Sequence, residues 1–217
     1  MGSAVTTTAA RTFEVRHVQL ARALFAALAA VMVTFSPDHS AGVGLAVFSG
    51  FAIATALVLL LACWLVYTAG TRTVPLILGI LTLVAGMIGG LPAVRTEVGF
   101  FVLVIAWALL TGLVELIGGI RGRRTGDPTS RDGVLLGILT LVLGAGLLLV
   151  NPAYSLEYFI AEAGRSYTLT GVTIGVGLFG GYCAIVAVFL GIAGFSPRAE
   201  TEPDAASSAH TSAGETP

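Results

Sequence analysis

Six long apolar runs dominate the sequence and limit the folds that it can adopt. Each run has roughly 18 to 27 residues, and about 20 apolar residues in a helix cross the hydrocarbon core of a bilayer. The runs occupy 18–35, 42–67, 74–91, 99–120, 133–150 and 169–195. The chain is only 11% charged, whereas about 25% of residues are charged in soluble domains. The pattern therefore predicts an integral membrane protein with six transmembrane helices.

Polar breaks between the runs divide the membrane domain into helical hairpins. Lipid offers no hydrogen-bond partner to a free backbone group, so the six helices must form a closed, all-α bundle. We expect a cytoplasmic N-terminal tail over 1–17, a membrane domain over 18–195, and a disordered, cytoplasmic C-terminal tail over 196–217. Within the membrane domain the predicted hairpins are 18–68, 74–120 and 133–195.

A seven-residue segment, Leu-Gly-Ile-Leu-Thr-Leu-Val, occurs at 78–84 and again at 136–142. In both copies a second glycine follows the first by seven residues, and a proline ends the segment. The glycines are Gly79 and Gly86 in one copy, Gly137 and Gly144 in the other. Residues seven apart lie on one side of a helix, so each copy predicts a helix with a face of small residues for close packing.

A fainter copy of this pattern lies in the first apolar run, where Ala23 and Ala30 replace the two glycines. The chain is therefore interpreted as three related hairpins. A basic start followed by an Ala-rich run is also typical of a cleaved signal peptide. The first run nevertheless occupies the position of a helix in a unit that occurs twice more, so we interpret it as a transmembrane helix.

The arginines are unevenly distributed between the two ends of the predicted bundle. The N-terminal segment, the loops after the second and fourth runs, and the C-terminal tail contain Arg11, Arg16, Arg22, Arg72, Arg121, Arg123, Arg124, Arg131 and Arg198. The opposite side has Arg95 and Arg165. Arginine-rich loops remain in the cytoplasm. The distribution therefore predicts a multi-pass protein of the inner or plasma membrane with both termini in the cytoplasm.

Glu115 is the one acidic residue well inside an apolar run. A carboxylate in the hydrocarbon core is costly unless it is protonated, paired or hydrated, so Glu115 is a candidate functional residue. Arg22 is expected at a similar depth, and Arg121 follows Glu115 by about 9 Å of helical rise. Either arginine can neutralise the carboxylate. The alternatives for Glu115 are a structural ion pair, proton or ion handling, and contact with a partner.

Glycines beyond the repeated segment also form pairs that permit close contact between helices. The last apolar run contains Gly171, Gly175, Gly177, Gly180 and Gly181. These exceed what one neighbouring helix can use. Packing within the chain is the first interpretation of Gly171 and Gly175. The alternatives for this helix are an interface with a second copy or another membrane protein, and a flexible site.

The sequence contains no pattern that indicates an enzyme, a cofactor or a metal site. Cys63 and Cys183 fall inside apolar runs, and neither has a nearby cysteine or histidine that would complete a ligand set. We interpret both as buried, small apolar residues. The net charge of −1 gives no indication of a nucleic-acid partner. The lipid bilayer is the expected partner.

The second and third hairpins share an order of helix, proline turn and helix, with a Glu-x-x-Gly ending and basic residues after the fourth run. In these segments, at 78–92, 108–121 and 136–152, the chain resembles the HdeD family of small acid-resistance membrane proteins. The resemblance covers about residues 18–195. The first hairpin departs by using Ala for Gly, and the last helix lacks an acidic residue like that of the fourth.

The resemblance implies an inner-membrane protein that is connected to survival at low pH or under stress, without an agreed molecular activity. We therefore expect a non-enzymatic protein that supports acid or envelope-stress tolerance. A small transporter or channel is one alternative, and its polar path would have only Glu115, Thr82, Thr111, Thr140 and Thr173 to line it. An accessory subunit of a larger membrane complex is the other alternative.

Overall fold

A computed structural model of the chain describes residues 13–68, 70–126, 129–161 and 164–196. Most of the predicted N-terminal tail, with Arg11, and the C-terminal tail from residue 197, with Arg198, lie outside the described residues. The helices are α1 (Val15–Phe35), α2 (Ala41–Leu65), α3 (Thr73–Gly90), α4 (Glu97–Arg124), α5 (Ser130–Leu149) and α6 (Gly171–Phe195). In the described part of the chain, these six are long and apolar enough to cross a membrane. The predicted six-helix fold is confirmed.

Several helices extend beyond their apolar runs. α1 begins at Val15 rather than residue 18, and α4 continues past residue 120 to Arg124. Three arginines occupy the last turn of α4, where positive side chains interact favourably with the exposed carbonyl groups. α5 begins at Ser130 and has Asp132 in its first turn, where a negative side chain is favourable. Charged residues therefore lengthen the helices past the hydrophobic boundary.

The connection between α5 and α6 contains an antiparallel hairpin that the sequence analysis did not predict. Its strands are β1 (Ser155–Ile160) and β2 (Arg165–Thr170), and Tyr158 pairs with Tyr167 across them. The two tyrosine rings stack with their centroids 6.1 Å apart. The predicted start of the last helix at residue 169 is wrong, because Leu169 and Thr170 belong to β2. The strands are rich in aromatic and β-branched residues, which favour extended backbone.

The six helices form a ring in sequence order, and α6 closes the ring against α1. The most extensive contacts are those of α2 with α3, α4 with α5, and α6 with α1. Contacts between the two helices of each predicted hairpin are less extensive. Each hairpin is therefore held mainly by its neighbours, and the bundle depends on closure of the ring.

The glycines of the first heptapeptide place α3 directly against α2. A Cβ atom added at Gly79 would lie 2.9 Å from the side chain of Leu60. One added at Gly86 would lie 2.9 Å from the side chain of Ile53 and 3.0 Å from its backbone nitrogen. At these distances an added Cβ would require Leu60 or Ile53 to move. The predicted face of small residues on this helix is a packing surface.

The second heptapeptide has the same role in the contact of α5 with α4. A Cβ atom at Gly137 would lie 2.5 Å from the backbone nitrogen of Leu116, and one at Gly144 would lie 3.0 Å from Leu109. α1 and α6 also meet through small residues, since a Cβ at Gly180 would lie 2.6 Å from Val33. In each of the three closest helix pairs, glycines without a side chain thus allow the two helices to approach.

The two ends of the bundle differ in charge. We define the basic end of the bundle as the end that contains the start of α1, the α2–α3 and α4–α5 connections, and the end of α6. Its described arginines outside the helix interiors are Arg16, Arg72, Arg121, Arg123, Arg124 and Arg131. The opposite end contains the remaining connections, with Arg95 and Arg165. The chain is a multi-pass membrane protein whose outer, apolar faces contact the lipid bilayer.

Candidate functional site

An ion pair lies inside the bundle, between α1 and α4. The Nη2 atom of Arg22 donates to the Oε1 atom of Glu115 at 3.2 Å. The Glu115 side chain is 9% exposed and the Arg22 side chain is 18% exposed. α1 and α4 are not neighbours in the ring, so the long arginine side chain reaches across the interior. The structure thus brings together two of the three charged residues that the sequence singled out.

The third charged candidate, Arg121, is exposed at the end of α4. Within the described ranges, the carboxylate of Glu115 forms no ion pair with Arg121. The two arginines left open by the sequence are therefore distinguished by the structure. Arg22 neutralises Glu115, and Arg121 belongs to the charged surface of the basic end.

The position of Glu115 follows from the spacing of residues along α4. Trp107, Thr111 and Glu115 are four residues apart, so they lie along one face of the helix. All three are buried, with residue exposures of 6%, 4% and 7%. This face is the inner surface of α4, and it continues toward the opposite end through the buried Val104 and Phe100. The inner face of α4 is thus apolar at Phe100 and Val104 and polar from Trp107 to Glu115.

The Arg22–Glu115 pair adjoins a small cavity of about 20 Å³ in the centre of the bundle. Every one of the six helices contributes at least one side chain to its wall. The polar side chains of the wall, which we call the polar cluster, are Arg22, Thr55, Thr82, Trp107, Thr111, Glu115, Thr140 and Tyr182. Polar residues that are far apart in the sequence and lie in six different helices therefore meet at one place.

Hydrogen bonds satisfy much of the polar cluster. The indole Nε1–H of Trp107 donates to the Thr82 hydroxyl at 3.2 Å. The Thr140 hydroxyl lies 2.8 Å from the Leu136 carbonyl oxygen, to which it donates, and 2.9 Å from the Tyr182 hydroxyl. These bonds join α4 to α3 and α5 to α6. Because a polar group without a partner is costly in an apolar interior, they also fix the helices relative to one another.

Two polar atoms of the cluster are buried without a hydrogen-bond partner among the described residues. They are the Nε atom of Arg22 and the Oγ1 atom of Thr55. Other threonines of the cluster differ in this respect, since Thr111 donates to the Trp107 carbonyl of its own helix at 2.6 Å. The Thr55 side chain thus presents an unused hydroxyl at the cavity.

Aromatic side chains fill the interior between the cavity and the opposite end. Phe51 and Trp107 line the cavity, and both rings contact Phe48 or Phe179 in edge-to-face geometry at centroid distances of 5.2 to 6.0 Å. Phe48 and Phe179 are fully buried. This aromatic cluster separates the polar cluster from the opposite end of the bundle.

A second polar contact joins α1 to α5, which is also not its neighbour in the ring. The side-chain amide of Gln19, one turn before Arg22, donates to the Oδ2 atom of Asp132 in α5 at 2.9 Å. Gln19 is 6% exposed. α1 therefore reaches both α4 and α5 through a carboxylate. Sequence analysis missed this bridge, because Asp132 lies in a charged connection where a solvated side chain is the usual outcome.

Thr55 and Tyr182 were also missed as members of the site. Their signal was present, because each is a hydroxyl-bearing residue inside an apolar run at helical spacing from buried neighbours. Of the five residues proposed for a polar path, four line the cavity. The fifth, Thr173, lies at the start of α6 and contacts the hydroxyl of Thr170 at 2.9 Å.

The glycines of α6 divide into two groups. A Cβ at Gly175 would lie 3.0 Å from the rings of Phe100 and Phe101, and Gly171 lies against the backbone of Asn151. These two glycines pack within the chain, as the first interpretation of the sequence proposed. Gly177 and Gly181, in contrast, have open space where a Cβ would be.

Both cysteines are free and buried, which confirms the interpretation of Cys63 and Cys183 as buried residues. In the described part of the chain, no three His, Cys, Asp or Glu side chains gather in a group that suits a metal ion. The chemistry available at the centre of the bundle is therefore that of hydrogen bonding and of one ion pair.

No family model, curated protein or solved structure matches the chain. The resemblance to the HdeD family thus remains a prediction from the sequence.

Proposed function

We propose that this multi-pass membrane protein is HdeD-like and supports tolerance of acid or envelope stress, without enzymatic activity. In this proposal it resides in the inner or plasma membrane with both termini in the cytoplasm. The observation that carries the proposal is the Arg22–Glu115 ion pair, which joins two helices on opposite sides of the ring. A charged link inside an apolar bundle is costly, so its presence at this position favours a functional role.

The ion pair is costly to break by the loss of one charge. Removing one partner of a buried pair typically destabilises a protein by about 3–5 kcal/mol, since the other charge is left unpaired. Without the pair, α1 would be held by the Gln19–Asp132 hydrogen bond to α5 and by its packing against α2 and α6. Loss of either charge would therefore remove the side-chain contact that α1 makes with α4 across the interior.

The packing of the bundle favours this role over transport. Four of the residues that a polar path would need line a cavity of about 20 Å³, a volume that accommodates a water molecule. The aromatic cluster of Phe48, Phe51, Trp107 and Phe179 fills the interior beyond it. A transported solute would require these rings to separate.

Survival after an acid pulse tests the proposal. Cells that lack the protein are complemented with the native chain, with Glu115→Gln, or with the double variant Arg22→Leu and Glu115→Leu. Glu14→Gln is the matched control, since Glu14 forms an exposed ion pair with Arg16, in which both side chains are more than half exposed. Membrane levels of each variant are measured in parallel.

We expect deletion to lower survival, and the native chain and Glu14→Gln to restore it. Glu115→Gln should fail to restore survival even when the variant is present in the membrane at the level of the native chain. The double variant distinguishes a structural from a functional pair, because replacing both charges by apolar residues commonly preserves stability. If the double variant restores survival, the ion pair is structural only. If deletion leaves survival unchanged, the proposed function is wrong.

An accessory subunit of a larger membrane complex is the second candidate. The observation that favours it is the pair Gly177 and Gly181, which are four residues apart on α6 and have no neighbouring atom within 4 Å of the place that a Cβ would occupy. Small residues at this spacing let another helix approach closely. A partner that copurifies with the native chain should no longer copurify with Gly181→Val. Gly50→Val is the matched control, because Gly50 on α2 is equally open.

A further inference from the structure

The unpartnered atoms at the centre of the bundle point to a ligand. Thr55 is 5% exposed, lines the cavity, and has a hydroxyl without a partner among the described residues. Arg22 lines the same cavity, and its Nε–H is buried and equally unpartnered there. Buried polar groups in folded proteins are nearly always hydrogen-bonded to protein or to ordered water. One ligand bound in the cavity would give a hydrogen-bond partner to both unpartnered atoms.

The size of the cavity identifies the ligand. A cavity that gives the centre of a water molecule roughly 10–15 Å³ can hold one water. The cavity here has about 20 Å³. The space therefore accommodates a water molecule. A bound metal cation is disfavoured by the guanidinium group of Arg22, and a bound anion by the carboxylate of Glu115.

We propose that the cavity binds one water molecule, held between the Nε–H of Arg22 and the hydroxyl of Thr55. The water accepts a hydrogen bond from Arg22, and it exchanges a further one with Thr55. Other hydroxyl groups of the polar cluster lie in the same wall and supply the remaining partners. This inference goes beyond the proposed function and does not depend on it.

A water at this position explains how a charged pair is accommodated in an apolar bundle. Guanidinium groups have five N–H donors, and a buried ion pair is stable only when further hydrogen bonds satisfy the remaining donors and lone pairs. One contact of 3.2 Å joins Arg22 to Glu115. The water would satisfy the buried Nε–H and connect the ion pair to α2, which otherwise contributes an unpaired hydroxyl.

The direct test is a crystal structure of the full native chain, grown from a lipid mesophase and refined to about 2 Å, the range in which buried waters with 2–4 polar partners are seen. We expect one spherical density peak within hydrogen-bond distance of Arg22 Nε and Thr55 Oγ1. An ordered cavity without density overturns the proposal. Crystals grown in bromide provide a second control, because anomalous density in the cavity would assign the site to an anion instead.

Thermal unfolding of purified Thr55→Val gives an independent test through its sign. Valine keeps the shape of threonine and removes the hydroxyl. In a dry cavity this change removes an unpaired polar group, so Tm should stay constant or rise. With water bound, it removes a partner and Tm should fall by about 2–4 °C. Thr55→Ser, which keeps the hydroxyl, is the matched control and should retain the water density. A Tm of Thr55→Val at or above that of the native chain overturns the proposal.

Discussion

Replacing Gly137 by alanine tests the close contact between α4 and α5. An added Cβ would lie 2.5 Å from the backbone nitrogen of Leu116, 2.8 Å from its Cα and 2.9 Å from the carbonyl oxygen of Gly112. All three are backbone atoms, so no side-chain rotation relieves the overlap. α5 must instead move away from α4. Gly146→Ala, on the same helix, is the matched control, because its Cβ would have a single contact at 3.9 Å.

The expected magnitude follows from two opposing contributions. Alanine in place of glycine within a helix is favourable by about 1 kcal/mol. Overpacking of a tight interface is unfavourable by about 1–3 kcal/mol. The helix contribution is common to both variants, so Gly137→Ala and Gly146→Ala should differ by about 1–3 kcal/mol. For a chain of this length that corresponds to a difference in Tm of roughly 2–12 °C, with Gly137→Ala the less stable.

Thermal unfolding in detergent, followed by intrinsic fluorescence, measures this difference. Circular dichroism at low temperature shows whether each variant retains its helices, since a change in Tm is informative only between folded proteins. Equal Tm values for the two variants would refute the reasoning. They would mean that α4 and α5 can separate without loss of stability, and that the glycine at position 137 does not determine their distance.

Two further predictions concern other buried groups. Trp107→Phe removes the donor to the Thr82 hydroxyl and should lower the free energy of unfolding by about 1–3 kcal/mol. Trp64→Phe is the control: Trp64 is 88% exposed, so the free energy of unfolding should change by less than about 0.5 kcal/mol. Thermal unfolding of the two variants measures the difference. Cys63 and Cys183 are 6% and 0% exposed, so maleimide should label both thiols slowly in the folded protein, and Cys183 more slowly than Cys63. Labelling should be complete after unfolding in dodecyl sulfate. Rapid labelling of the folded protein would contradict the burial of the two cysteines.

Sequence alone predicted the parts of the fold that depend on local pattern. Run length and composition determine the six spans, and residues seven apart determine which face of α3 and α5 is smooth. The pairing of Arg22 with Glu115 was one of two open choices, because depth in the membrane can be counted along a helix but rotation about its axis cannot. The β1–β2 hairpin was missed for a related reason. Its pattern is short, and the pairing of Tyr158 with Tyr167 depends on a strand register that the sequence does not display.

The repeated heptapeptide accounts for part of the central site as well as for the packing. Thr82 and Thr140 are the fifth residues of the two copies, three positions after Gly79 and Gly137, which is about 60° around the helix. The glycine therefore contacts the neighbouring helix while the threonine faces the cavity. In α1 the corresponding place is taken by Ala26, which is fully buried. The first hairpin thus has a small apolar residue at the position of these threonines, and its contribution to the polar cluster is Arg22, one turn earlier.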